Sequence, residues 1–157
     1  MKIRFVQVGK TFQDFVVAGC QSYRKRLLNY LPYEEVVIPA LKNARGISSE
    51  KFKAYEGEQI LKKLDPRDYV VLLDERGVSY TSEGFADFVQ QQMNSGIKNL
   101  CFVVGGAYGF SPGVYSRAQA QISLSPMTFS HQLIRLIFLE QLYRAMTILR
   151  NEPYHNA

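Results

Sequence analysis

A chain of 157 residues has the length of one domain and can bury roughly two-thirds of its unfolded surface, so its core needs neither a disulfide nor a structural metal. Its 46% hydrophobic and 13% aromatic content excludes disorder, and Lys plus Arg outnumber Asp plus Glu by 19 to 14, a net +5 that fits a polyanionic partner. In chain order, Met1–Gly9 alternates Ile3, Phe5 and Gln7 against Lys2, Arg4, Val6 and Val8, a strand turning apolar on both faces. Thr11 is the expected N-cap of a first helix with the stripe Phe12, Phe15, Val16, Gly19, Tyr23, Leu27 and Tyr30, stopped by Pro32. Glu34–Ile38 reads as a strand, and Ser48 or Ser49 caps a second helix running to Lys63. Tyr69–Leu73 and Leu100–Val104 are continuous apolar runs, the pattern of parallel strands covered on both faces.

Between those runs, Thr81–Gly84 caps a third helix with Phe85, Phe88 and Val89 turned inward. Ser111–Ala118 reads as a short helix and Ala120–Leu124 as a fifth strand. From His131 to Arg150 a long apolar stripe predicts a helix that is deeply packed or at a dimer interface. Alternating strands and helices give an α/β fold, a mostly parallel sheet sandwiched by helices in a single domain, residues 1–157. The apolar runs fall far short of the ~20 residues of a membrane span, and no signal-type stretch follows Met1, so a cytoplasmic chain with no membrane partner is expected. Cys20 and Cys101 have no CxxC spacing and read as reduced, buried thiols; no metal site is indicated.

Ligands of such sheets bind beyond the carboxyl ends of the strands. Three stretches stand there: Leu73–Gly77, Gly105–Gly109 and Ser123–Phe129. Gly105 and Gly106 remove side chains where a ligand would press against the backbone. Neither the dinucleotide nor the phosphate-loop glycine pattern occurs, which argues against NAD and ATP. Gly109–Gly113 fits the GxSxG elbow of serine hydrolases around Ser111, with Glu140 and His155 following in order. Pro112, however, lacks the N–H that an oxyanion hole takes from that position, and Ser111-Pro112 suits a helix start. The cations cluster as Arg24-Lys25-Arg26, flanked by Tyr23 and Tyr30, and as Arg135, Arg144 and Arg150, positions that suit phosphate contacts if they converge.

Read together, Leu73-Asp74 with Gly77, Val103–Gly109, Leu124–Gln132, Glu140–Ala145 and Tyr154-His155 resemble the RlmH family of SPOUT-class methyltransferases. The match is close over residues 68–155; across 1–67 it rests on length, the opening strand and the Tyr23–Arg26 helix. The resemblance implies a SPOUT-type α/β knot, with a deep trefoil knot near the C-terminus that periodicity would never predict. It implies a homodimer acting on ribosomal RNA or the ribosome, methylating N3 of a pseudouridine in bacterial 23S ribosomal RNA. S-adenosylmethionine is the implied donor, its family positions carrying over onto Leu73, Gly105, Leu124, Ser125, Pro126, Met127, Thr128 and Phe129. For catalysis, Tyr154 and His155 are expected to orient the target base or take its proton, with Arg144 stabilising the anion. The competing readings are a catalytically inactive RNA-binding module and a serine hydrolase using Ser111.

Overall fold

The computed structural model describes residues 1–156. Strand and helix alternate as β1 (Lys2–Val8), α1 (Asp14–Leu27), β2 (Tyr33–Ile38), α2 (Ser49–Lys63), β3 (Asp68–Ser79), α3 (Ser82–Asn94), β4 (Asn99–Val104), α4 (Pro112–Arg117), β5 (Ala120–Ser123) and α5 (Leu133–Leu149). The strands form one sheet in the order β2-β1-β4-β3-β5, every neighbouring pair parallel, as the alternation predicts. Alternate residues feed two cores. Ile3, Phe5, Val71, Leu100 and Phe102 join the layer of α1, α3 and α5, while Val6, Val70, Leu72, Cys101 and Val103 join that of α2 and α4. Burial on both faces is why β3 and β4 read as unbroken apolar runs. Burial also pushes the Cys101 thiol up to about 12 and raises that of Cys20, so both are inert. No helix among the described residues is long and apolar enough to cross a membrane.

Ser48, Thr81 and Ser111 cap their helices by accepting from the N–H groups of Lys51, Gly84 and Val114, with Pro112 in the first turn of α4. The first helix departs from expectation. It starts after Gln13, which makes no side-chain cap, and the Thr11 hydroxyl accepts from Arg135 instead (2.9 Å). The buried stripe falls on Val16, Cys20 and Leu27, leaving Phe12 ahead of the helix and Phe15 one position off the inward face. They are 65% and 64% exposed.

β3 runs past its expected end. Leu73 and Val78 both pair with Ile122 of β5, so Asp74–Gly77 bulges out of the ladder within a strand that continues to Ser79. A Cβ on Gly77 would lie 2.6 Å from the backbone of Gln121 and Ile122, so only glycine lets the bulge close onto β5. β5 itself stops at Ser123, one residue early.

The pairing register sets Gln7, Leu73 and Val104 in one row at the carboxyl edge of the sheet. From the edge strand β5 the chain returns across that row to β1, because α5 packs on α1 and α3. Gln132 fastens the crossing, accepting from the Phe12 N–H (3.0 Å) and donating to the Lys10 carbonyl (3.2 Å). Arg135, expected among the surface cations, is only 1% exposed. Its guanidinium donates to the carbonyls of Val8, Gly9 and His131 and to the side chains of Gln7 and Thr11, at 2.8–3.2 Å. Burial lowers its pKa, and among the described residues no carboxylate pairs with it; neutral oxygens hold the charge. Arg135→Leu strips three carbonyls of a donor, at ~1–3 kcal/mol for each one left unsatisfied. Urea titration is expected to show a loss of at least about 3 kcal/mol, with Arg135→Lys recovering only part of it.

Candidate active site

The crossing segment roofs a cavity of about 520 Å³ against the ends of β3 and β4. Leu73, Gly105, Leu124, Ser125, Met127, Thr128 and Phe129 line it, joined by His131 and Ile134 from the approach to α5. Pro126, also expected there, lies on the segment but outside the lining. Side chains shape the roof. The Ser123 hydroxyl donates to the Ser125 carbonyl (2.9 Å), the Ser125 hydroxyl accepts from the Met127 N–H (2.9 Å), and Thr128 donates to Glu75 in the β3 bulge (2.8 Å). Asp74 and Glu75 thus part company. Glu75 ties bulge to roof, whereas Asp74 turns inward and accepts from the Tyr115 hydroxyl. Burial, then the Asp74 carboxylate, raises the Tyr115 pKa and keeps the phenol neutral as a donor.

The glycine pair after β4 is needed for a reason sequence reading did not supply. A Cβ on Gly105 would sit 3.0 Å from the Phe110 ring, and one on Gly106 would sit 2.7 Å from the Glu56 carboxylate. The pressure comes from the protein behind the loop. Glu56 on α2 is buried and accepts from the Gly106 N–H (2.9 Å), fixing the cavity wall; sequence reading missed it. The available signal was a carboxylate set four residues from both Phe52 and Ile60, on the inward side of α2.

Arg144, Tyr154 and His155 come together, but away from the cavity lining. Glu140 Oε1 accepts from Arg144 (2.6 Å) and from the Tyr154 hydroxyl (3.0 Å). Arg144 Nη1 lies 3.1 Å from His155 Nδ1. Arginine has only donors, so Nδ1 accepts, and Nε2 carries the hydrogen that Glu83 takes at 2.8 Å. The guanidinium also covers the Tyr154 ring at 4.8 Å. Burial, with Tyr23 and Glu140 adding to it, raises the Tyr154 pKa well above the ordinary phenol value. Tyr154 is a donor here and a poor base. Ser111 does not fit a hydrolase: its hydroxyl is buried and caps α4, while His155 is engaged by Arg144 and Glu83.

A roofed cavity at the carboxyl edge of an all-parallel sheet, with α5 packed on α1 and α3 and tied by Arg135 to the end of β1, fits the α/β-knot class of methyltransferase that the family below implies. A family model described as predicted SPOUT methyltransferase matches residues 1–155, and the chain belongs to that family. It is 53% identical over 156 residues to the ribosomal RNA large subunit methyltransferase H of Parabacteroides distasonis, covering 99% of each chain. To the proteins of the same name from Flavobacterium johnsoniae and Cytophaga hutchinsonii it is 49% and 47% identical, covering 99% of this chain and 99% and 100% of theirs.

Glu56 gives this site a pH signature. Burial raises its carboxyl pKa, only partly opposed by the Gly106 N–H. A carboxyl raised on folding adds stability below its unfolded pKa and loses that contribution as pH climbs through the folded value. Glu56→Gln keeps an acceptor for Gly106 and removes the titration. Urea midpoints measured from pH 4 to 8 are expected to show the variant gaining on the parent as pH rises through and above the carboxylate range.

Proposed function

We propose that this chain is one cytoplasmic domain, residues 1–157, that acts as a homodimer and methylates N3 of a pseudouridine in bacterial large-subunit ribosomal RNA, with S-adenosylmethionine as donor. The observation that carries the reading is the roofed cavity, lined by seven of the eight positions expected to hold the donor. Its residues fit that group: Leu73, Leu124 and Ile134 offer apolar walls, and the Gly105-Gly106 backbone is kept free of side chains at a fixed height by Glu56. S-adenosylmethionine supplies an electrophilic methyl group when bound.

The N3 proton then passes to water, its bonding pair staying on nitrogen, and the protein must hold the anion left on the base. Tyr154 is kept protonated and His155 Nδ1 is occupied by Arg144, so the tail cluster is better suited to orienting the base than to taking its proton. Arg144 is the stabilising charge, held in place by Glu140 and its stack on Tyr154. Arg144 lies ten residues along α5 from the cavity-lining Ile134, about 15 Å at 1.5 Å per residue. That separation supports a site completed by a second copy, with the tail of one protomer serving the cavity of the other. The exposed Phe12 and Phe15 supply apolar surface for such pairing.

Calorimetric titration is expected to find one S-adenosylmethionine per protomer, and labelled methyl to enter 23S ribosomal RNA. Arg144→Ala is expected to slow single-turnover transfer ~10²–10³-fold, the scale of losing one charge-stabilising donor, with donor affinity unchanged. Mixing Arg144→Ala with the cavity variant Gly106→Val, each expected to be strongly impaired alone, is expected to give more activity than either variant by itself. No donor binding, or no recovery on mixing, overturns the donor or the shared site respectively.

A further inference from the structure

Four tyrosines from three parts of the chain meet beside the tail cluster. The Tyr143 ring on α5 is central, its centroid 5.9 Å from Tyr23, 6.0 Å from Tyr30 and 4.8 Å from Tyr154. Two arginines lie on this aromatic floor. The Arg26 guanidinium is 5.3 Å from the Tyr23 centroid and 5.4 Å from that of Tyr143; Arg150 is 4.6 Å from that of Tyr30. Both residues are exposed, and among the described residues neither takes part in an ion pair. Their neighbours differ: Arg24 is paired with Glu35 (2.8 Å) and Arg144 with Glu140.

A guanidinium lying on a tyrosine face has its apolar plane covered, while its N–H edge stays open to water. The stack restricts the side chain before any partner arrives, so less rotamer freedom remains to be lost on binding. Tyr30 is itself fixed, donating to Glu152 at 2.5 Å, and its pKa is raised to about 12, by burial first and the Glu152 contact second. It stays a neutral ring under Arg150 across the working pH range. Two pre-positioned, unneutralised cations set along one aromatic floor match the repeated charges of a phosphodiester backbone better than a lone carboxylate.

We propose that Arg26 and Arg150 are phosphate-binding residues that guide the single-stranded RNA flanking the target nucleotide toward Tyr154 and Arg144. The proposal rests on the ribosomal RNA reading above and adds to it the surface that receives the strand. Each phosphate neutralised on a single strand contributes ~0.7 to the dependence of log affinity on log salt. The test compares the full-length protein with the Arg26→Gln/Arg150→Gln and Arg26→Lys/Arg150→Lys pairs. Their affinities for a 23S ribosomal RNA fragment are measured from 50 to 300 mM KCl, with donor titration alongside. The glutamine pair is expected to lower the salt slope by about 1.4 and leave donor affinity unchanged, and the lysine pair to restore the slope. A glutamine pair with the parent's slope, or a lysine pair that fails to restore it, overturns the assignment while leaving the methyltransferase reading intact. A parent protein that binds no ribosomal RNA at any salt overturns both.

Discussion

The structure depends on one buried cation. Arg135 sits at the start of α5 and reaches back to the end of β1, where its fork takes up strand-end carbonyls that would otherwise be stranded beneath the crossing segment. Taking a guanidinium out of water costs several kcal/mol, and among the described residues no carboxylate pairs with it. The compensation is spread over five contacts to oxygens that themselves need donors. Because four of those oxygens belong to β1 and the residues after it and the fifth is the His131 carbonyl, the same contacts fix where the crossing segment lies. The roof of the cavity, the start of α5 and the height of His131 above the sheet all follow from that anchor.

The wall opposite is set by a second buried ionisable side chain, a carboxyl. Glu56 holds the Gly106 N–H from behind and Thr128 holds Glu75 across the top, so β3, β4, α2 and the crossing segment meet at the cavity through hydrogen bonds between residues far apart in the chain. Asp74, between them, faces inward with Tyr115 as its partner. Three carboxylates near one cavity thus each hold a different part of its frame.

Much of this was legible in the residue order. Double-sided burial of β3 and β4 is written in their unbroken apolar runs, and parallel topology then assigns ligand binding to the stretches that follow them. The positions expected to hold a donor rest on the resemblance, and seven of the eight line the cavity. What escaped were features that depend on partners 50 or more positions away. Glu56 and Gly106 are 50 apart, Gln7 and Arg135 are 128 apart, and no periodicity links them. Arg135 reads like Arg144 and Arg150 as a cation suited to phosphate, and its place among the apolar residues of α5 is the local clue to its burial. The continuation of β3 was hidden because Asp74–Gly77 has the composition of a loop and only its neighbour β5 makes it a bulge. Phe12 and Phe15 satisfied a helical spacing that the actual helix start, two residues later than Thr11 suggested, left facing water.

The span between Gln7 and Arg135 also has a consequence for how the molecule comes into being. Contacts this distant in sequence are slow to form, because a long loop must close before any of its reward is collected. On a translating ribosome the first strand emerges long before the residue that anchors α5 to it. The pocket therefore cannot exist on the nascent chain until nearly the whole polypeptide has been released, and competence to hold a small molecule arrives as one of the last events of maturation.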